Sequence, residues 1–217
     1  MSAGAGLLNL DAAVQSTTAL APVSSSFGIG DGNPDRSRTI SVTNLGNLTD
    51  TFRISVSTSD STAAVTDVQA LEIAPGQTKT FNLSFRGKAL AVGEFQGFVK
   101  VKGENAPIEA RMAYWYGSSN GAPVKVGIIK QDNSASVNTT STFDFVLSDP
   151  TGIPTTSGAQ PQVSVVSGGG GLRSINSLDP VYPGIWEVTV RMGPVPGPNV
   201  IHVELGDAKR DITVVGQ

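Results

Sequence analysis

The chain has 217 residues, 15 Lys and Arg against 18 Asp and Glu, one histidine and no cysteine. Its length allows one large domain or two small ones, and 25 Gly with 13 Pro favour many turns over long helices. A net charge of −3 without basic runs excludes nucleic-acid binding by phosphate neutralisation, the missing thiols exclude disulfides and thiolate chemistry, and no apolar stretch approaches the ~20 residues that span a bilayer.

Met1 and Ser2 precede a small-residue run, Ala3 to Gly6, with neither the basic nor the long apolar region of a signal peptide. With the low charge and Ser/Thr-rich texture, this points to a secreted fragment with an added start; a cytosolic chain is the other reading. Residues 3–15 carry the one helical signal, with Leu10 and Val14 at i and i+4 and with Asn9 or Asp11 available to cap. A helix this short is unstable alone in water, so it must pack on something.

From residue 23 the apolar period changes to two. Inward rows are expected at Ile40 and Val42; Phe52, Ile54 and Val56; Leu71 and Ile73; Phe81, Leu83 and Phe85; and Phe95, Val99 and Val101, with Gly97 inward between them. A last strand over 108–116 points Ile108, Ala110, Met112 and Tyr114 one way. Turn signals separate these runs, no helix pattern intervenes, and an antiparallel β-sandwich follows. Residues 118–123 are polar and Gly-containing, a linker. Beyond them alternation resumes at Val124, Val126 and Ile128; Phe143, Phe145 and Leu147; Val163 and Val165; Trp186, Val188 and Val190; Ile201, Val203 and Leu205; and Ile212 and Val214. That makes a second small sandwich. The expected fold is all-β, two consecutive antiparallel β-sandwiches with a short N-terminal helical segment.

Chemistry-bearing candidates are sparse. His202 falls out of phase with Ile201 and Val203, on the wetter strand face beside Glu204, and no serine sits in a strained elbow beside it. Asp31, Asn33 and Asp35 place oxygens at alternate positions as a calcium loop begins, but Arg36 and Val42 stand where an EF-hand needs Gly and Glu, so a plain turn competes. Tyr114, Trp115 and Tyr116 form the densest aromatic spot. They are expected to pack between the domains, or to present Trp115 for sugar stacking or a partner. Residues 168–171 are four glycines, but no Gly-Lys-Ser/Thr follows, so they read as a loop tip and not a P-loop. No cofactor is expected.

Three stretches carry a family resemblance. Residues 4–14 (GAGLLNLDAAV) resemble the segment ending the catalytic domain of secreted bacterial subtilisin-like serine proteases. Residues 21–28 (APVSSSFG), 43–47 (TNLGN), 73–77 (IAPGQ) and 93–99 (GEFQGFV) are similar, in order, to the fibronectin type III-like module that often follows. Residues 146–154 (VLSDPTGIP) and 182–188 (YPGIWEV) resemble a bacterial Ig-like module. The resemblance implies four segments: 1–20 from the catalytic domain's end, 21–117 fibronectin-like, 118–123 linker, and 124–217 Ig-like. The family's Asp, His and Ser motifs are not in this sequence, so no catalytic residue carries over and the chain is expected not to be an enzyme. The implied partners are the catalytic domain of the same polypeptide and a protein substrate or cell-surface polysaccharide, at a secreted or cell-surface location. An independent secreted glycan-binding protein is the alternative.

Overall fold

The computed structural model describes residues 9–34, 36–58, 64–85, 89–155 and 158–217. The chain divides into two compact units, Met1–Ser118 and Ser119–Gln217. Both are Ig-like β-sandwiches.

The first unit opens with helix α1 (Leu10–Gln15), followed by β1 (Thr18–Ala21), β2 (Ser24–Gly30), β3 (Arg36–Asn44), β4 (Asp50–Thr58), β5 (Ala64–Thr66), β6 (Ala70–Ile73), β7 (Thr78–Phe85), β8 (Gly93–Gly103) and β9 (Ala110–Ser118). They form two sheets, ordered β1-β3-β7-β5 and β2-β9-β8-β4-β6. The first-strand region splits between the sheets. Thr18–Ala21 pairs antiparallel with β3, and after the cis Ala21–Pro22 peptide Ser24–Gly30 pairs parallel with β9. The expected all-antiparallel pairing therefore has one parallel exception in this unit. The expected inward rows meet as the core: Ile40, Val42, Phe52, Phe81, Leu83, Phe85, Val99 and Val101 are fully or almost fully buried. Burying each such side chain contributes about 1.5–3 kcal/mol.

Gly97 sits in the inward row because a neighbour needs its space. It lies opposite Tyr114 in the β8–β9 register, and a Cβ there would strike the Ser57 carbonyl and the Tyr114 hydroxyl. Two turns of this unit, 43–47 and 73–77, are joined by Asn44. Its amide donates to Leu48 O and Ile73 O, both at 2.8 Å, and accepts from Gly46 N–H at 2.8 Å. The Asn44 backbone completes the junction, donating to Gln77 O and accepting from Gly76 N–H. At the free edge of β2, Arg36 donates to the Phe27 and Ile29 carbonyls and Arg38 to that of Ser26. Those guanidiniums cap an edge that would otherwise present bare acceptors.

The second unit contains β10 (Lys125–Gln131), β11 (Ser134–Ala135), β12 (Thr140–Ser148), β13 (Gln162–Ser167), β14 (Gly171–Ser177), β15 (Ile185–Arg191), β16 (Gly197–Leu205) and β17 (Ala208–Gly216). Its sheets are β10-β12-β15-β14 and β11-β17-β16-β13. Again one edge pair, β11 with β17, is parallel. Phe143, Phe145, Leu147, Trp186, Val188, Val190, Ile201, Val203, Ile212 and Val214 fill the core, the rows their alternation predicts. The turn after β12 is organised by Asp149, whose Oδ1 accepts from the Thr151 N–H, the Thr151 hydroxyl and the Ile153 N–H.

Candidate functional site

Helix α1 confirms the helical reading for residues 10–15, while residues 3–8 lie outside the described ones. Asn9 is its N-cap, accepting from the Ala12 N–H at 3.0 Å, as an Asn before a helical run is built to do. No residue of the helix is buried, and Leu10 and Val14 are 69% and 79% exposed. The helix thus presents an apolar pair without using it within its own unit.

The three aromatic residues part company. Tyr114 and Tyr116 belong to the core of the first unit, their rings packed around Phe85. They are not available as an interaction surface, because β9 alternates and both point inward with Met112. Trp115 points the other way and is half-buried. Parallel pairing brings Ser24 opposite Ala113 and Ser26 opposite Trp115. Ser24–Ser26, Ala113 and Trp115 line a shallow recess of about 310 Å³. The indole N–H is buried there with no hydrogen-bond partner among the described residues. The recess itself offers the half-buried Trp115 side chain beside two exposed serine side chains, chemistry suited to a hydroxylated ligand. Nothing local in the sequence links residues 24–26 to Trp115; only the parallel register does.

Asp31 and Asn33 make a turn: the Asn33 N–H donates to Asp31 Oδ1 at 3.0 Å. Asp35 lies outside the described residues. Among the described residues, no group of three or more His, Asp or Glu side chains gathers as a metal site.

His202 sits on the outer face of β16 in a charged chain. Its Nδ1 lies 2.6 Å from Asp211 Oδ1 on β17 and its Nε2 lies 3.4 Å from Glu204 Oε2, while Lys209 holds the other Glu204 oxygen at 2.7 Å. The hydrogen bond to Asp211 is the chief reason the imidazole is held above its usual value near 6.5. The Lys209 ammonium, then His202, holds the Glu204 carboxyl below its usual range. Ser164 stands across from His202 on β13, completing a Ser–His–Asp row. That row lacks the geometry of a triad. Both ring nitrogens already face carboxylates, whereas a general base needs one nitrogen free for the nucleophile's hydroxyl.

The glycine run 168–171 forms the β13–β14 connection and leads into β14. Gly169, Gly170 and Gly171 line a second recess together with Arg173 and Arg191, two residues that their own sequence neighbourhoods do not single out.

No helix among the described residues is long and apolar enough to cross a membrane. No family model and no curated protein sequence matches the chain. Solved structures similar to it include a β-glycosidase from Bacteroides vulgatus, at 12% identity and a TM-score of 0.45, covering 93% of this chain and 25% of that chain. The Escherichia coli adhesin FdeC aligns at 17% identity and a TM-score of 0.38, covering 94% of this chain and 64% of that one. The E. coli chaperone DraB aligns at 10% identity and a TM-score of 0.41, covering 93% and 98%. The chain thus spans about a quarter of the glycosidase and just under two thirds of the adhesin. Similarity at this level carries no argument about activity; what the chain's own strands establish is a pair of Ig-like β-sandwiches.

Proposed function

We propose that this chain is the non-catalytic, secreted module pair that follows the catalytic domain of a subtilisin-like serine endopeptidase. In this reading the segment expected over residues 1–20 belongs with the catalytic domain only through α1, because Thr18–Ala21 pairs with β3 in the first sandwich. Residues 18–118 are a fibronectin type III-like module, 119–123 link, and 124–217 are a bacterial Ig-like module. The observation that carries it is α1. Leaving Leu10 and Val14 in water forgoes about 1.5–3 kcal/mol each, so an exposed apolar pair next to an ordered sandwich calls for a partner. The resemblance of residues 4–14 to the end of the protease domain supplies one. The modules then act by position. They hold the enzyme away from, or against, a surface or substrate.

The test is the reading frame upstream of residue 3, joined to a measurement on the whole protein. An Asp, His and Ser motif set upstream is expected. In the whole protein, Leu10→Ser with Val14→Ser lowers the melting temperature of the catalytic domain and leaves the two sandwiches unchanged. An upstream frame that codes for no protease sinks the proposal.

The Trp115 recess favours a second reading, a glycan-binding module independent of proteolysis. Retention on an insoluble polysaccharide that Trp115→Ala abolishes, with no protease encoded upstream, would put this reading first.

A further inference from the structure

At one end of the second unit, three connections meet: β11–β12, β13–β14 and β15–β16. Backbone bonds tie the first to the third, Asn138 N–H to Gly193 O at 3.1 Å and Met192 N–H to Thr139 O at 2.8 Å. Below them Asn199, only 1% exposed, accepts from the Gly193 N–H at 3.0 Å. Most of the glycines here serve that close packing. A Cβ on Gly168 would lie 2.6 Å from the Asn199 side chain, one on Gly170 would strike the Arg191 carbonyl, and one on Gly193 the Gly168 carbonyl. The result is a rigid frame, which is what a binding site on loops requires.

Gly171 is different. No atom of the described residues lies within 4 Å of where its Cβ would stand, and its φ is not in the left-handed region. Neither packing nor backbone asks for glycine. Its register partner is Arg191, and paired residues share a sheet face, so the missing side chain leaves open the space beside that guanidinium. From the same strand comes Arg173, the extra residue of a β-bulge between Leu172 and Ser174. Bulges re-aim side chains and are frequent beside binding sites.

Arg173, Arg191, Asn138 and the Gly169–Gly171 backbone line a recess of about 480 Å³. Among the described residues no carboxylate lines it. Arg191 reaches only Asn138 Oδ1, at 3.5 Å, and Arg173 has no hydrogen-bond or ion-pair partner among the described residues. Two guanidiniums that share a preformed recess without an acid are complementary to an oxyanion, which a guanidinium fork binds in bidentate fashion.

We propose that this recess binds the carboxylate or phosphate of an acidic saccharide, gripped by Arg173 and Arg191. The Asn138 amide and the glycine backbone are placed to meet hydroxyls. The volume suits one or two sugar units; among the described residues the lining holds no aromatic ring, and Leu172, Met192 and Pro194 form its apolar side. The site does not depend on whether a protease domain precedes the modules.

The test is a titration of the 15N-labelled full chain, followed through its backbone amides and arginine Nε–H signals. The probes are digalacturonate, glucose 6-phosphate, neutral cellobiose and a Glu-rich peptide. Saturable shifts at Gly169–Gly171, Arg173 and Arg191 are expected with one or both acidic sugars and not with cellobiose; which acid binds more tightly identifies the oxyanion. Arg173→Ala and Arg191→Ala each weaken binding by about tenfold or more. Gly171→Val fills the recess without touching either arginine, and abolishes binding while the rest of the spectrum reports an intact fold. The proposal is overturned by no saturable shift with either acidic sugar, by binding that survives both the double arginine variant and Gly171→Val, or by tighter binding of the peptide than of the sugars.

Discussion

Asn44 shows how much a single amide holds. Both amide hydrogens and the amide oxygen are used, and they join two turns 30 residues apart in sequence. Truncation leaves two carbonyls and an N–H to find new partners at a site that is 2% exposed. Asn44→Ala is therefore expected to cost about 2–4 kcal/mol in urea unfolding. Asn44→Asp should be no better, because a carboxylate cannot donate to Leu48 O and Ile73 O; a neutral result for either would mean the turns hold each other without the amide. Gly30 gives a second, cleaner prediction. A Cβ there would lie 2.5 Å from the Tyr116 hydroxyl, the end of a side chain and not a backbone atom. Gly30→Ala is expected to destabilise by about 1–3 kcal/mol, and Tyr116→Phe in the same chain to restore part of it. The restoration is incomplete because Gly32 N–H donates to that hydroxyl at 3.3 Å. At Gly97 the corresponding rescue by Tyr114→Phe is expected to fail, since the Ser57 carbonyl also occupies the space.

Among the elements, β16 carries a pH response. The groups facing His202 are Asp211 from β17, Glu204 on its own strand with Lys209 behind it, and the uncharged Ser164 from β13. The carboxylates favour the imidazolium, so the folded histidine titrates above its ordinary 6.5. A raised value means that stabilisation is fully present below about 6.5 and fades as pH rises through the folded value. The second unit is thus expected to resist urea better at pH 6 than at pH 8.5, by a small margin because the site is solvent-screened. His202→Gln should flatten that difference; a difference that persists in the variant would assign it to other groups. Elements also differ in how plainly they announce themselves. In β12 and β15, strict alternation of large apolar residues makes the inward row visible at once. In β14 the bulge at Arg173 interrupts the alternation between Leu172, which pairs with Val190 but stays exposed, and Ile175, which packs on the core, and a period-two reading misses the strand. Strands β5 and β11 have three and two residues, too short for any period to register.

For the whole molecule, the layering and the cores follow from sequence periodicity, but the pairing direction at the edges does not, because alternation is the same in parallel and antiparallel strands. The two recesses were hidden for the same reason. Trp115 is recognisable as out of phase, yet its serine neighbours are about 90 residues away in the chain, and Arg173 meets Arg191 only through the β14–β15 register.

The parallel edge pairs bear on how the molecule would respond to pulling. In each unit a strand near the beginning lies alongside the final strand and runs the same way. Tension applied through the two ends of a unit drags these strands in opposite directions along their length. All the bridging hydrogen bonds are then loaded together in shear, instead of peeling one at a time. Strand β2 meets β9 over five register pairs, β11 meets β17 over two. Stretched in a single-molecule instrument, the chain is expected to give two rupture events, the weaker from the second unit. Under load the chain is therefore expected to yield first in the unit farther from its N-terminus.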